Sequence, residues 1–262
     1  MYATPLFSYL SLSQLFLLTL IITTLALETG YRLGRVRKAQ QKPEKDPPIN
    51  TSVGATLGLL AFMLAMTFGV AMSQFDLRRQ AFLDEVDAIS TAYLRTDFLP
   101  PDLREKSKQT LRDYVTVRLK AADTGDLQEA NTRSKQIHTE LWNQITLAQN
   151  TLNAQLPFVL YIQSINQVLD LHTRRVIAAV QLRIPTIIWI VLYGVAIFGM
   201  AEMGYQTGIT ASARSPAFLG LIISFAAVLY LIADLDRPRE GAIVVSQAIM
   251  RQMLTEMGQE NQ

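Results

Sequence analysis

Four stretches of this chain, residues 10–27, 53–72, 184–201 and 217–233, are apolar and carry no formal charge. A helix needs roughly 17 to 25 such residues to cross about 30 Å of hydrocarbon, and each stretch meets or nearly meets that length. A helix buried in a soluble domain is usually shorter and keeps a polar face. Lipid is therefore the expected solvent for all four, and the expected fold class is all-α: a polytopic membrane protein with four transmembrane helices. Residues 1–14 contain no Lys or Arg and no cleavage site follows Ala26-Leu27-Glu28, so the first stretch reads as a retained span rather than a secretory signal.

Between the second and third spans the pattern stays helical. Phe75, Phe82, Val86, Ile89 and Tyr93 recur at three- to four-residue steps until Pro100-Pro101 stops the helix. Asp102 is the expected cap of a second helix, marked by Leu111, Val115 and Leu119 and ending near Asp123-Thr124-Gly125. Ile137, Leu141, Ile145, Ala148 and Leu152 mark a third. From Pro157 the stripe Phe158, Ile162, Ile165, Leu169, His172, Val176 and Ala179 leads into the third span. The expected organisation is two spans with a basic hook (1–73, hook 31–51), an extramembrane bundle of four helices (74–183), two further spans (184–234) and an amphipathic tail (235–262).

Composition narrows the function classes. A formal charge of +2 gives no bias toward nucleic acid. With no cysteine, disulfides, thiolate metal sites and cysteine nucleophiles are excluded. His138 and His172 lie far apart in sequence and lack carboxylates at metal-ligand spacing, so each is assigned a structural role, and no metal or cofactor is expected. Asp84, Glu85 and Asp87 point to different sides of one helix and read as a solvated face, Asp84 pairing locally with Arg78 or Arg79. Glycine-rich phosphate loops, HExxH and GxSxG do not occur. No catalytic residue is expected, and an enzyme is the least favoured class.

The spans and their edges are more informative. Gly54, Gly58, Ala61, Ala65 and Gly69 form a small-residue stripe that lets another helix approach closely, within the chain or between subunits. The opposite face carries Thr56, Met63, Thr67 and Gln74, the candidates for lining a pore if subunits surround an axis. An even number of spans puts both termini and the middle section on one side. Asp76, Arg78, Arg79, Arg183, Asp234, Asp236 and Arg237 then form a charge cluster at one membrane edge, where Asp234 or Asp236 is expected to pair with an arginine of a neighbouring span. Glu202, at the far end of the third span, is a further candidate acid. Pro238 and Gly241 turn the tail, whose Val245, Ile249, Met253 and Met257 suit an interfacial helix or a subunit contact. Arg32, Arg35, Arg37, Lys38, Lys42 and Lys45 outweigh Glu44 and Asp46 in the hook, placing it in the cytoplasm by the positive-inside rule.

Residues 58–100, GLLAFMLAMTFGVAMSQFDLRRQAFLDEVDAISTAYLRTDFLP, with GYRLGR at 30–35 and DLDRPREG at 234–241, resemble the bacterial bestrophin-like membrane proteins. Bestrophins proper are pentameric anion channels with four spans, a helical cytosolic region between the second and third, and a pore lined by the second. The resemblance implies the same order here: a second span running on into RRQ, an RIP start to the third at 183–185, and an acidic-Pro-Gly exit from the fourth. It also implies a bundle in the cytoplasm, opposite to the hook's own signal. Asp236-Arg237-Pro238-Arg239-Glu240-Gly241 keeps the proline and a later glycine of that exit but lacks its phenylalanine. Phe62, Phe68 and Phe75 do not share one face as bestrophin constrictions do, and no long acidic calcium clasp is present.

The leading expectation is thus a multi-pass protein of the bacterial inner membrane, a homo-oligomeric ion channel or channel-like protein with small anions as cargo and the bilayer as its environment. The alternative is a membrane-anchored sensory or interaction module whose bundle binds a ligand or partner.

Overall fold

A computed structural model describes residues 10–40, 49–152, 156–210, 216–238 and 240–259. Among these residues the chain is helical without a strand. Its helices are α1 (Leu12–Ala39), α2 (Ile49–Arg95), α3 (Pro101–Thr124), α4 (Leu127–Leu152), α5 (Leu156–Gln181), α6 (Thr186–Thr210), α7 (Ala217–Asp236) and α8 (Ala248–Gln259), with a 3-10 turn at Thr96–Phe98 after α2. Four of the helical segments are long and apolar enough to cross a membrane. This is a multi-pass membrane protein.

The chain divides into two compact units, one of Met1–Phe75 with Arg183–Val244 and one of Asp76–Leu182 with Val245–Gln262. The first contains the four apolar segments. Helix α1 starts at a capping box: Ser11 Oγ accepts from the Gln14 N–H at 3.2 Å and the Gln14 side chain accepts from the Ser11 N–H at 2.9 Å. It ends on Arg37 and Lys38, cations that suit the negative end of a helix dipole. Residues 31–39 of the basic hook are thus the last turns of a helix, with Arg32, Arg35, Arg37 and Lys38 on it. Lys42, Glu44, Lys45, Asp46 and the prolines at 43, 47 and 48 lie outside the described residues.

The core of this unit joins Leu12, Leu15, Leu60, Ala71, Trp189, Leu192, Met200, Phe225 and Leu229. Buried hydroxyls in it find local partners, as a low-dielectric interior requires. Thr19 donates to the Leu15 carbonyl at 2.8 Å and lies 2.7 Å from the Tyr193 hydroxyl.

The second unit is a helical bundle. The part of α2 beyond Phe75 packs with α3, α4, α5 and α8 around Phe82, Ile89, Leu111, Val115, Leu141, Ile145, Tyr161, Ile165 and Val168. Helix α3 starts with Pro101 at its first position, where a missing N–H leaves nothing unpaired, so Asp102 sits inside the first turn and is not the cap. It ends on left-handed Gly125, whose N–H returns to the Ala121 carbonyl. The tail departs from expectation. Helix α8 buries Met250, Met253 and Met257 against the bundle and leaves Ile249 half exposed, so its apolar stripe belongs to this unit's core. Tyr93 and Arg112 both donate to the Met257 carbonyl, at 2.9 and 3.1 Å, and close the C-terminal end of α8.

Candidate functional site

Two helices of the membrane unit touch through their backbones. A Cβ placed on Gly30 or Gly34 of α1 would collide with the Ala201 or Tyr205 carbonyl of α6, and one on Gly204 or Gly208 would collide with the Leu27 or Tyr31 carbonyl. The sequences responsible are GYRLG and GYQTG, one small-xxx-small pair on each helix. The stripe Gly54, Gly58, Ala61, Ala65 and Gly69 on α2, expected to pack within the chain or between subunits, is exposed in its own chain, and a Cβ at any of its three glycines meets nothing within 4 Å. Thr56, Met63 and Thr67 turn toward the chain's own helices, and Gln74 is half-buried, its side-chain oxygen without a hydrogen-bond partner among the described residues. Thr67 is buried and bonds the Met63 carbonyl at 2.7 Å, Met63 packs on the core, and Thr56 donates to Glu202 of α6 at 2.9 Å. Ser52 joins the same carboxylate at 3.3 Å, tying α2 to α6.

The exit from α7 is a second constructed feature. Asp234 and Asp236 are both buried. Asp236 accepts the Ile184 N–H at 2.7 Å and lies 3.8 Å from Arg183, so the segment leading into α6 is held by the end of α7. Asp234 accepts the Ala242 and Ile243 N–H groups at 3.1 and 3.5 Å. That return of the chain needs Gly241, whose φ of 105° disfavours any side chain and whose Cβ position is taken by the Asp234 carboxylate. Arg237 pairs with Glu240. In the other unit Arg78 is buried and donates to the Leu182 carbonyl at 3.0 Å, while Asp76 and Arg79 are exposed.

The densest polar centre lies in the bundle, at a residue expected to be solvated. Glu85 is fully buried. Its carboxylate accepts from the Tyr114 hydroxyl at 2.5 Å, pairs with Arg175 and lies 3.5 Å from Arg118 Nε. His172 Nδ1 stands 2.9 Å from the Tyr114 hydroxyl and 3.6 Å from Glu85, and its Nε2 faces the Asn131 side chain at 3.3 Å. His138 meets His172 edge to face, with ring centroids 4.7 Å apart. Arg175 also lies over the Phe82 ring at 4.8 Å and donates to Gln247 ahead of α8 at 3.0 Å. One carboxylate thereby connects α2, α3 and α5 directly, α4 through the histidines, and the tail through Arg175.

Burial alone would raise the Glu85 pKa. The Arg118 charge, the His172 hydrogen bond, the Arg175 charge and the Tyr114 hydrogen bond outweigh it and hold the carboxyl well below the usual range. Burial and the neighbouring carboxylate push the Tyr114 phenol well above its ordinary value. His138 is lowered to about 4, chiefly by burial and then by the facing His172. At neutral pH the centre therefore contains an ionised Glu85, a neutral Tyr114 and a neutral His138. This is a charge clamp and not an acid–base pair poised near neutrality.

A family model for the Bestrophin-like domain matches residues 19–250, most of the chain. The chain belongs to the bestrophin-like family. No curated protein and no solved structure matches it. The match extends from the first span through the bundle and into α8, so the glycine seam, the aspartate exit and the Glu85 centre all lie within the family domain.

Sequence reasoning missed the Glu85 centre because it tested residues for spacing along the chain. Glu85 shares the inward stripe with Phe82, Val86 and Ile89, and this was the available signal: a carboxylate on an apolar face requires buried partners. The reading of His138 and His172 as distant and without carboxylates is corrected by the antiparallel bundle, which brings both rings together and sets one beside Glu85.

Proposed function

We propose that this protein is a homo-oligomeric channel or channel-like protein for small anions in the cell membrane, with the bundle outside the bilayer. The observation that carries the reading is the open face of α2. A Cβ at Gly54, Gly58 or Gly69 would meet nothing in its own chain and Ala61 and Ala65 are exposed, whereas Gly30 and Gly34 of α1 and Gly204 and Gly208 of α6 are consumed by contact within it. A stripe of this kind either seats a neighbouring subunit or faces an axis without obstructing it. Family membership supports conduction as the use of that face. In this proposal Thr56, Met63, Thr67 and Gln74 brace α2 from behind, and Ala61 and Ala65 stand nearest the axis or the neighbouring copy.

The test is chloride efflux from liposomes containing the purified chain, with Ala65→Trp as the variant. Wild-type flux that the variant reduces at least about tenfold, at unchanged oligomer size, supports the proposal. No flux across a range of voltage and pH refutes it. A second reading, a membrane-anchored sensory or interaction module, draws on the link from Glu85 through Arg175 to Gln247, which joins the bundle to the tail. One stoichiometric partner co-purifying in detergent, together with absent flux, favours that reading.

A further inference from the structure

Glu85 is one negative charge facing two guanidinium groups, Arg118 and Arg175. Arg175 is fully engaged, by the carboxylate, the Phe82 ring and Gln247. Arg118 is not. It is buried, its Nε is 3.5 Å from Glu85, and among the described residues that nitrogen has no hydrogen-bond partner. Ser134 Oγ and His138 Nε2 are likewise buried without a partner among these residues.

Helix packing puts these three groups together. Helices α3 and α4 run antiparallel across the turn at Gly125, with Tyr114 against His138 at 5.3 Å between ring centroids and Ser107 against Gln144 at 3.3 Å. One turn beyond Tyr114 on α3 is Arg118. One turn back from His138 on α4 is Ser134, so the register places the arginine opposite the serine. His138 senses the Arg118 charge directly, which fits that register.

The chemistry of the three groups points one way. A guanidinium N–H is a donor, and a hydroxyl and a neutral imidazole nitrogen can each present one as well. The Glu85 carboxylate nearby is already engaged by the Tyr114 hydroxyl and by Arg175. An anion can accept from all three groups and also offset the surplus positive charge, whereas a water molecule can accept from the donors but leaves the charge unmatched. A cation is repelled by the arginines. We propose that Arg118, Ser134 and His138 form a buried binding site for a small monovalent anion, of chloride or bromide size, between α3 and α4 of the bundle. The proposal does not require that the protein conducts.

The experiment is thermal unfolding of the full-length protein in detergent, with chloride exchanged for gluconate at constant ionic strength. Wild type is expected to melt at progressively higher temperature as chloride rises, and Ser134→Ala to need at least about tenfold more chloride for the same shift. Crystals soaked in bromide should show an anomalous peak in hydrogen-bond reach of Arg118 and Ser134. A melting temperature indifferent to chloride overturns the proposal. So does a halide dependence that Ser134→Ala leaves intact, or bromide found only in the membrane unit. Because the readout is stability, a channel that conducts normally does not rescue the site, and a silent one does not sink it.

Discussion

Replacing Glu85 by Gln tests the charge clamp with little change of shape. The amide keeps the volume and one acceptor oxygen but withdraws the negative charge that faces Arg118 and Arg175. Removing one partner of a buried ion pair typically destabilises by about 3–5 kcal/mol, because the remaining charge stays desolvated and unmatched. Here two guanidinium groups are stranded, but Arg175 keeps Gln247 and the Phe82 ring, so the lower end, about 3 kcal/mol, is expected. That is a loss of about two orders of magnitude in the folded-to-unfolded ratio of the bundle. For a unit of this size it corresponds to roughly 10 °C in melting temperature. The chain has two tryptophans, so a Trp189→Phe background leaves Trp142 of α4 as the fluorescent reporter of the bundle. Asp87→Asn, an exposed carboxylate on the same helix, is the control and should stay within about 0.5 kcal/mol of wild type. A Glu85→Gln variant as stable as Asp87→Asn would show that the carboxylate does not hold the bundle. Adding Arg175→Met should restore part of the loss, as removal of one stranded charge demands.

Further outcomes follow from other contacts. Glu85 has a lowered pKa, so its contribution is complete above the ordinary carboxylate value of about 4.3 and is lost as pH falls through its folded value. Acid weakening between pH 6.5 and 4 should come instead from His138, because the unfolded chain takes up that proton at about 6.5 and the folded chain only near 4. His138→Gln should flatten the slope of melting temperature against pH in this window. Gly34→Ala or Gly208→Ala should lower detergent stability sharply by forcing α1 and α6 apart, whereas Gly220→Ala on α7, with open space around it, should be neutral or gain up to about 1 kcal/mol. Asp236→Ala removes the acceptor of the buried Ile184 N–H and should destabilise by about 1–3 kcal/mol, read as a lower melting temperature of the membrane unit.

The fold was legible where one physical rule dominates. Charge-free length announces a lipid-crossing helix, and a stripe such as Leu111, Val115 and Leu119 announces an inward face, whatever surrounds it. The site was less legible because it depends on which faces meet. Small residues at four-residue spacing occur on α1, α2 and α6 alike, and only the packing reveals that Gly30, Gly34, Gly204 and Gly208 pair while Gly54, Gly58 and Gly69 stay open. The methionines of the tail have the periodicity of a membrane-surface helix, but the same periodicity serves equally to dock on α3. Asp236 was expected to seek an arginine and lies 3.8 Å from Arg183, yet its shorter contact is to the Ile184 backbone, a partner that composition never exposes.

The seam between α1 and α6 limits how the membrane unit can move. Helices separated by a layer of side chains can slide as rotamers adjust, but ridges of main chain locked glycine to carbonyl must lift apart before either shifts by one residue, about 1.5 Å. The pair should act as a fixed strut. If the protein conducts as proposed, displacement that opens or shuts a route through the bilayer falls to α2, whose small-residue face is open in its own chain, and to α7, which meets α1 through side chains such as Tyr230 on Phe16. Cross-links that staple α1 to α6 should leave gating untouched, whereas those that pin α2 should arrest it.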